Sequence, residues 1–320
     1  MSVSETTAEQ RTVLQDPSPQ EKRAASRKAG WVRRAPLMPA LVFVIIMTQL
    51  PFATTIVISF MSWNALRPDE RGFAGFGNYA QVFSDSGLRS SVFTTIVLTI
   101  VVVGVSLVLG LLIALLLDRH FFGRGVVRTM MIAPFLVVPV AAALLWKHAI
   151  LNPSYGLING VLTWVWGLFG SQNPPQVAWL TQFPLLSIEA ALIWQWTPFM
   201  MLILLAGLQS RPAEAFEAAK MDGASPVQAF RYITLPHLRR YIELGATLGA
   251  IFIVQNFDAV FTMTSGALGT ANLPYTIYQT FFVRQDYGLA AAQGVIVVIG
   301  TIIVATFALR SVSSLLKEES

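Results

Sequence analysis

Residues Ser210 to Arg240 read SRPAEAFEAAKMDGASPVQAFRYITLPHLRR, a polar, basic stretch set between two long apolar runs. Ser210 can cap orphan amides, Pro212 is tolerated in a first helical turn, and Glu214 and Glu217 follow near the positive end of the helix dipole. A first short helix is therefore expected to run to about Met221. Asp222-Gly223 is a turn pair in which glycine can take a left-handed conformation, and Ser225-Pro226 repeats the pattern of cap followed by first-turn proline. The second helix is expected to end before Pro236, because proline disfavours helix in the preceding residue, and Arg239 and Arg240 then mark a membrane boundary. The stretch reads as a helix-turn-helix elbow.

Outward from the elbow lie the runs Leu185 to Leu208 and Ile242 to Thr264, and beyond them Pro39 to Ser62, Val92 to Leu117, Met130 to Trp146 and Leu289 to Leu309. Of the 320 residues, 54% are hydrophobic and only 12% charged, about half the charged share of an average soluble domain. That excludes an ordinary water-soluble fold and predicts an all-α polytopic membrane protein with six transmembrane helices, each run being about the length that crosses roughly 30 Å of hydrocarbon. Pro51, Pro134, Pro139 and Pro198 are expected to bend these helices without interrupting them. With no cysteine, a disulfide framework, a thiolate metal site and a cysteine nucleophile are excluded.

Lys and Arg stay preferentially on the cytoplasmic side, and 17 of the 22 basic residues fall before the first run, between the second and third, between the fourth and fifth, or after the sixth. The other five are Arg67, Arg71, Arg89, Lys147 and Arg284. Both termini are thus expected in the cytoplasm of a cell-membrane protein, and the net charge of +5 serves topology beside anionic headgroups, not nucleic-acid binding. Residues 1–35 are too polar to bury a core and read as a disordered cytoplasmic tail; residues 36–317 form the membrane domain. Trp164, Trp166 and Trp179, in an outer loop, are expected at the lipid interface.

The elbow resembles the signature of permease subunits of binding-protein-dependent ATP-binding-cassette importers: EAA, three residues, Gly, nine residues, I-x-L-P. Glu217, Ala218 and Ala219 supply the first part, Gly223 the glycine, and Ile233, Leu235 and Pro236 the end. The resemblance implies the type I permease fold of ABC importers and a docking knob that seats in a cleft of a separate ATPase subunit, which uses the ATP; this chain itself binds no cofactor. It also implies a second, distinct permease subunit, two ATPase subunits and an extracytoplasmic solute-binding protein. Further likeness to the sugar and polyol branch lies in Phe76-Gly77-Asn78-Tyr79, in Asn152 to Asn159, in Trp194 to Met200 before Ala206-Gly207-Leu208, and in Tyr287-Gly288 before Ala290 to Ala292. One departure is Ser265-Gly266-Ala267, where many relatives carry Gly-Gly-Pro.

A carboxylate in a membrane helix costs several kilocalories per mole unless paired or wetted, so each is a candidate for function. Glu189 lies near the outer end of the fourth run, Glu243 begins the fifth at the interface, and Asp258 sits with Gln255 and Asn256. Acceptors and amides of this kind, together with aromatic faces, hold neutral polyhydroxy solutes. Gln255, Asn256, Asp258, Gln195, Trp194 and Glu189 are therefore the candidates for a solute path; the bland reading is hydrogen bonding between helices. No phosphate-binding G-x-x-x-x-G-K-[ST] motif occurs, and His120, His148 and His237 lie on separate segments, which leaves a zinc site without support. The rivals to an importer subunit are an ion-coupled secondary transporter and a membrane enzyme acting on lipid-linked sugars.

Overall fold

The computed structural model describes residues 35–170, 174–211, 217–219 and 221–318. It divides into two units, up to Thr54 and from Thr55 on. Helix α1 (Met38–Ser59) runs through Pro51 unbroken. In its first part the hydroxyls of Thr48 and Thr54 bond back to the carbonyls of Val44 and Leu50, 2.8 Å in each case, so neither polar group faces lipid unpaired.

Beyond α1 the chain makes a small hairpin, β1 (Met61–Ser62) against β2 (Gly72–Phe73), antiparallel with Met61 opposite Phe73. A short helix α2 (Gly77–Ser84) leads to α3 (Ser86–Asp118), whose first amides are capped by Asp85 Oδ1 at 2.7 and 3.2 Å. With 33 residues, α3 is about 50 Å long at 1.5 Å per residue. That is longer than the roughly 30 Å of a bilayer's hydrocarbon, and the partner of α3 across the centre of the unit is α7 (Pro184–Gln209).

Between these two come α4 (Arg124–Leu136), α5 (Pro139–Leu144) with a π-helical extension over Leu145–Ile150, and α6 (Leu157–Leu168). The expected third span is not gently bent but turned by 95°. Pro139 disfavours helix at Val138, which is extended at φ −57°, ψ 133°, and a new helix starts with the proline in its first turn. Pro198, by contrast, is accommodated inside α7 without a break.

After the elbow, α8 (Pro226–Ala229) passes through a π turn (Phe230–Thr234) straight into α9 (Leu235–Val254). The expected stop before Pro236 does not occur. The wider π turn shifts the hydrogen-bond ladder, so the proline falls in the first turn of α9, where its missing N–H costs nothing. The expected fifth span is divided: α9 ends at Val254, Gln255 to Phe257 are irregular, and α10 (Asp258–Met263) follows. A shorter segment, α11 (Leu273–Tyr278) with a π turn to Val283, precedes α12 (Tyr287–Glu318). Among the described residues, α1, α3 and α7 are long and apolar enough to cross a membrane, and α4 with α5 makes a fourth if the bent pair is one span.

The core lies where α3, α7 and α9 meet. One cluster is built on Leu98, Leu192, Met200 and Val260, and a second, toward the elbow, on Leu117, Met201, Leu204, Leu205 and Leu238. Close approach depends on glycine. A Cβ on Gly110 would lie 2.8 Å from Met200 Cβ, one on Gly245 3.3 Å from Met200 Sδ, and one on Gly249 would overlap the Met200 methyl. The Met200 side chain thus occupies a socket of three glycines, and small residues of this kind let membrane helices touch along their backbones.

Candidate translocation path and coupling elbow

The break at Gln255 to Phe257 gathers three of the candidate residues. Asn256 is only partly exposed, its backbone carbonyl accepts from Asn272 Nδ2, and its own side-chain Oδ1 is buried without a partner. Asp258 opens α10, partly exposed, and Gln255 is exposed with its amide bonded to Ile251 O at 3.1 Å. Irregular backbone at membrane depth is tolerated where it is buried in protein or lines a wet cavity, and discontinuous helices build solute sites in transporters. The residues call attention by polarity, yet nothing in VQNFD signals that the helix stops there.

Gln195 occupies a different place. It is 7% exposed, and its Nε2 donates to Val137 O, 3.0 Å away, at the sharp bend between α4 and α5. Its amide is spent on the backbone that the bend frees. Trp194 packs edge-on against Trp146 with ring centroids 6.1 Å apart, and Trp146 Nε1 is itself buried and without a partner. Glu189 is 6% exposed, among the core residues flanking Ile188 and Leu192. The six candidates therefore do not form one cluster. Glu243, expected at the interface, pairs with Arg239 at 3.0 Å.

Two stretches singled out for their likeness to sugar permeases form one joint. Asn78 Nδ2 donates to Ser59 O (2.8 Å) and Met61 O (2.9 Å), and Tyr79 Oη lies 2.6 Å from Ser59 Oγ. On the other side, the amides of Tyr287 and Gly288 donate to Trp63 O at 2.9 and 3.2 Å, and a Cβ on Gly288 would overlap Met61 O. A third stretch is a knot: Asn159 donates to Pro153 O and Val177 O and accepts from Trp179 Nε1, all within 3.0 Å. Trp179, expected at the lipid interface, is thus held by a hydrogen bond to Asn159, and Trp164 is 66% exposed. A cavity of about 430 Å³ between α3, α9 and α12 has walls such as Val92, Ile96, Ala250 and Ile296. It suits an apolar chain, not a polar solute.

The elbow's first expected helix falls largely on residues 212–216 and 220, outside the described residues. Glu217 to Ala219 are helical, with Glu217 and Ala218 exposed. Gly223 is left-handed at φ +81° with open space around it, a conformation that other residues adopt at a cost. Ser225 and Gln228 form a reciprocal capping box at 3.3 and 2.8 Å. Met221, Val227 and Tyr232 are 88%, 74% and 70% exposed on this polar segment. Both ends are tied down. Ser210 Oγ lies 2.6 Å from Tyr241 Oη and 3.2 Å from a His237 ring nitrogen, and Arg211 donates to Thr234 Oγ1 at 3.0 Å while reaching Asp118, the last residue of α3, at 3.6 Å. Ile233 lies within the π turn, and Leu235 and Pro236 start α9. Arg211, which joins the elbow to α3, was missed by sequence reading because its partner lies far away in the chain.

Residues 106–317 match the family described as binding-protein-dependent transport system inner membrane component. The chain belongs to that family. It is a permease component embedded in the membrane, a transporter subunit and not an enzyme. It is 34% identical over 259 residues to the trehalose/maltose transport system permease protein MalF of Thermococcus litoralis, covering 80% of this chain and 85% of that one. It is 30% identical over 294 residues to the trehalose transport system permease protein SugA of Mycobacterium tuberculosis, covering 91% of each. Among solved structures, a bacterial ABC transporter involved in the import of the acidic polysaccharide alginate shares the fold with a TM-score of 0.75 over 92% of this chain and 99% of that one, at 23% identity.

Proposed function

We propose that this permease component forms half of the translocation path of an ATP-driven importer for a sugar or polyol. The observation that carries the coupling part is the elbow: exposed Met221, Val227 and Tyr232 around a left-handed Gly223. Exposed apolar groups gathered on a water-facing knob mark a protein interface. In this reading Glu217, Ala218, Ala219, Gly223, Ile233, Leu235 and Pro236 seat the elbow in a separate ATPase, and closure of two ATPases rocks the helices as rigid bodies. The path runs past the break, where Asn256, Asp258 and Gln255 meet solute hydroxyls, with Trp194 and Glu189 on the facing helix and Gln195 holding the bend.

The membrane domain, residues 36–317, crosses the bilayer six times in this reading, the divided and bent elements each counting as one crossing, with both termini and the tail of residues 1–35 cytoplasmic. Its partners are a second, distinct permease subunit, two ATPase subunits and an external solute-binding protein. The sugar and polyol class is supported by the names of the trehalose and maltose permeases to which the chain is similar. The test is uptake of radiolabelled trehalose, maltose and sorbitol by vesicles containing the full complex. Uptake should need ATP inside and persist when ion gradients are collapsed, and the ATPase should co-purify with wild type but not with Glu217→Lys. Transport that follows an ion gradient without ATP would remove the proposal.

A further inference from the structure

From the break in α9 to the outer hairpin, aromatic rings follow one another without a gap. Phe257 lies 5.2 Å from Tyr278 between centroids, Tyr278 5.1 Å from Phe282, Phe282 4.8 Å from Phe281, Phe281 4.8 Å from Tyr287, and Tyr287 5.5 Å from Trp63. The Arg71 guanidinium covers the last ring, 4.1 Å from the Trp63 centroid. At the other end is the buried, unpartnered Oδ1 of Asn256. The middle rings are open: Phe281 is 41% and Phe282 63% exposed.

We infer that these rings form a stacking track along which a carbohydrate passes from the outer hairpin to the break, a site class that rests on the sugar reading above. A core cluster would bury its middle rings, and these are open. An interfacial belt gathers its rings at one level, whereas this row links the β1–β2 hairpin at Trp63 to the break at Phe257 ring by ring. It starts beside a hairpin carrying Arg67, Asp69, Glu70 and Arg71. It ends beside Asn256, whose carbonyl is bonded to Asn272, next to Leu273, whose amide donates to Thr95 Oγ1. Thr95 lies about 13 Å down α3 from Ser86 at 1.5 Å per residue. The chemistry fits a pyranose. Its C–H face is weakly positive and meets the negative face of an aromatic ring, without regard to which hydroxyls point where. A series of similar weak sites lets a solute enter and also leave, and selection is left to the directional groups at Asn256 and Asp258.

Since the chain has no cysteine, the variants Phe282→Cys and Phe281→Cys each carry one reportable thiol. In right-side-out vesicles holding the full complex, a charged, membrane-impermeant methanethiosulfonate added outside should label both. Millimolar maltose or trehalose should slow labelling about threefold or more, the size of one lost ring contact. Labelling by a lipid-soluble maleimide alone, or labelling indifferent to both disaccharides, overturns the track and leaves the importer reading standing. In uptake assays Phe282→Leu, which keeps apolarity and packing, should slow import by a similar factor, and Phe282→Trp should not. Equal rates in the two variants overturn the track. A wild type that imports no carbohydrate overturns the sugar reading, and the track with it.

Discussion

Replacing Gln195 with leucine removes an amide while keeping nearly the same volume, so packing is held and a single hydrogen bond is tested. The bond is 3.0 Å from Nε2 to Val137 O, at a residue 7% exposed, and no lipid group can replace the donor. A buried acceptor left without a donor costs about 1–3 kcal/mol. For domains of about 150–250 residues each kcal/mol moves the melting temperature by about 2–4 °C, so Gln195→Leu should melt up to roughly 12 °C below wild type. The measurement is thermal melting of the purified protein in detergent, paired with uptake rates for several carbohydrates in membranes. Selectivity should stay unchanged in the fraction that survives. A leucine variant that melts with wild type yet alters solute preference would show that the amide serves the solute and not the bend, and the assignment of Gln195 would be wrong.

Asn159→Leu strands Pro153 O, Val177 O and Trp179 Nε1 together; melting should fall further than for Gln195→Leu, and Trp179→Phe added to it should cost little more, since the two residues share one bond. Gly288→Ala places a methyl against Met61 O, and an overpacked contact of about 1–3 kcal/mol should loosen the β1–β2 hairpin, read as faster proteolysis between Ser62 and Gly72. Gly223→Val forces a β-branched residue to φ +81°, a strain of about 1–3 kcal/mol in a turn with free space around it; insertion should stay normal while ATPase co-purification and uptake drop together. Asn256→Ala and Asp258→Asn should change the apparent affinity or the preference for solute with little change in melting; unaltered transport in both would remove the break from the path.

What could be read ahead of the structure was local. Apolar runs set α1, α3 and α7 because a backbone in lipid has no choice but helix, and the spacing from Glu217 to Pro236 announced the elbow because turn glycine and first-turn proline are chemistry of adjacent residues. The misses involve residues distant in sequence. Pro139 was visible, but a 95° turn also needs a donor for the freed carbonyl, and that donor is Gln195, 58 positions away. Gln255 to Phe257 contain neither proline nor glycine, so the stop in α9 depends on Asn272 holding the backbone of Asn256. At Pro236 a local rule was overridden, because a π turn re-phased the helix. Asn78 and Gly288 looked like separate weak likenesses and are the two halves of one joint.

The Met200 socket has a mechanical implication. Glycines 110, 245 and 249, on α3 and α9, clasp one unbranched thioether from α7. Methionine has three freely turning bonds and a polarisable sulfur, so it can swivel inside the clasp while remaining in touch with both neighbours. The socket can therefore serve as a ball joint. If the ends of the three helices swing in opposite directions during a transport cycle, the contact at Met200 can be kept while they do.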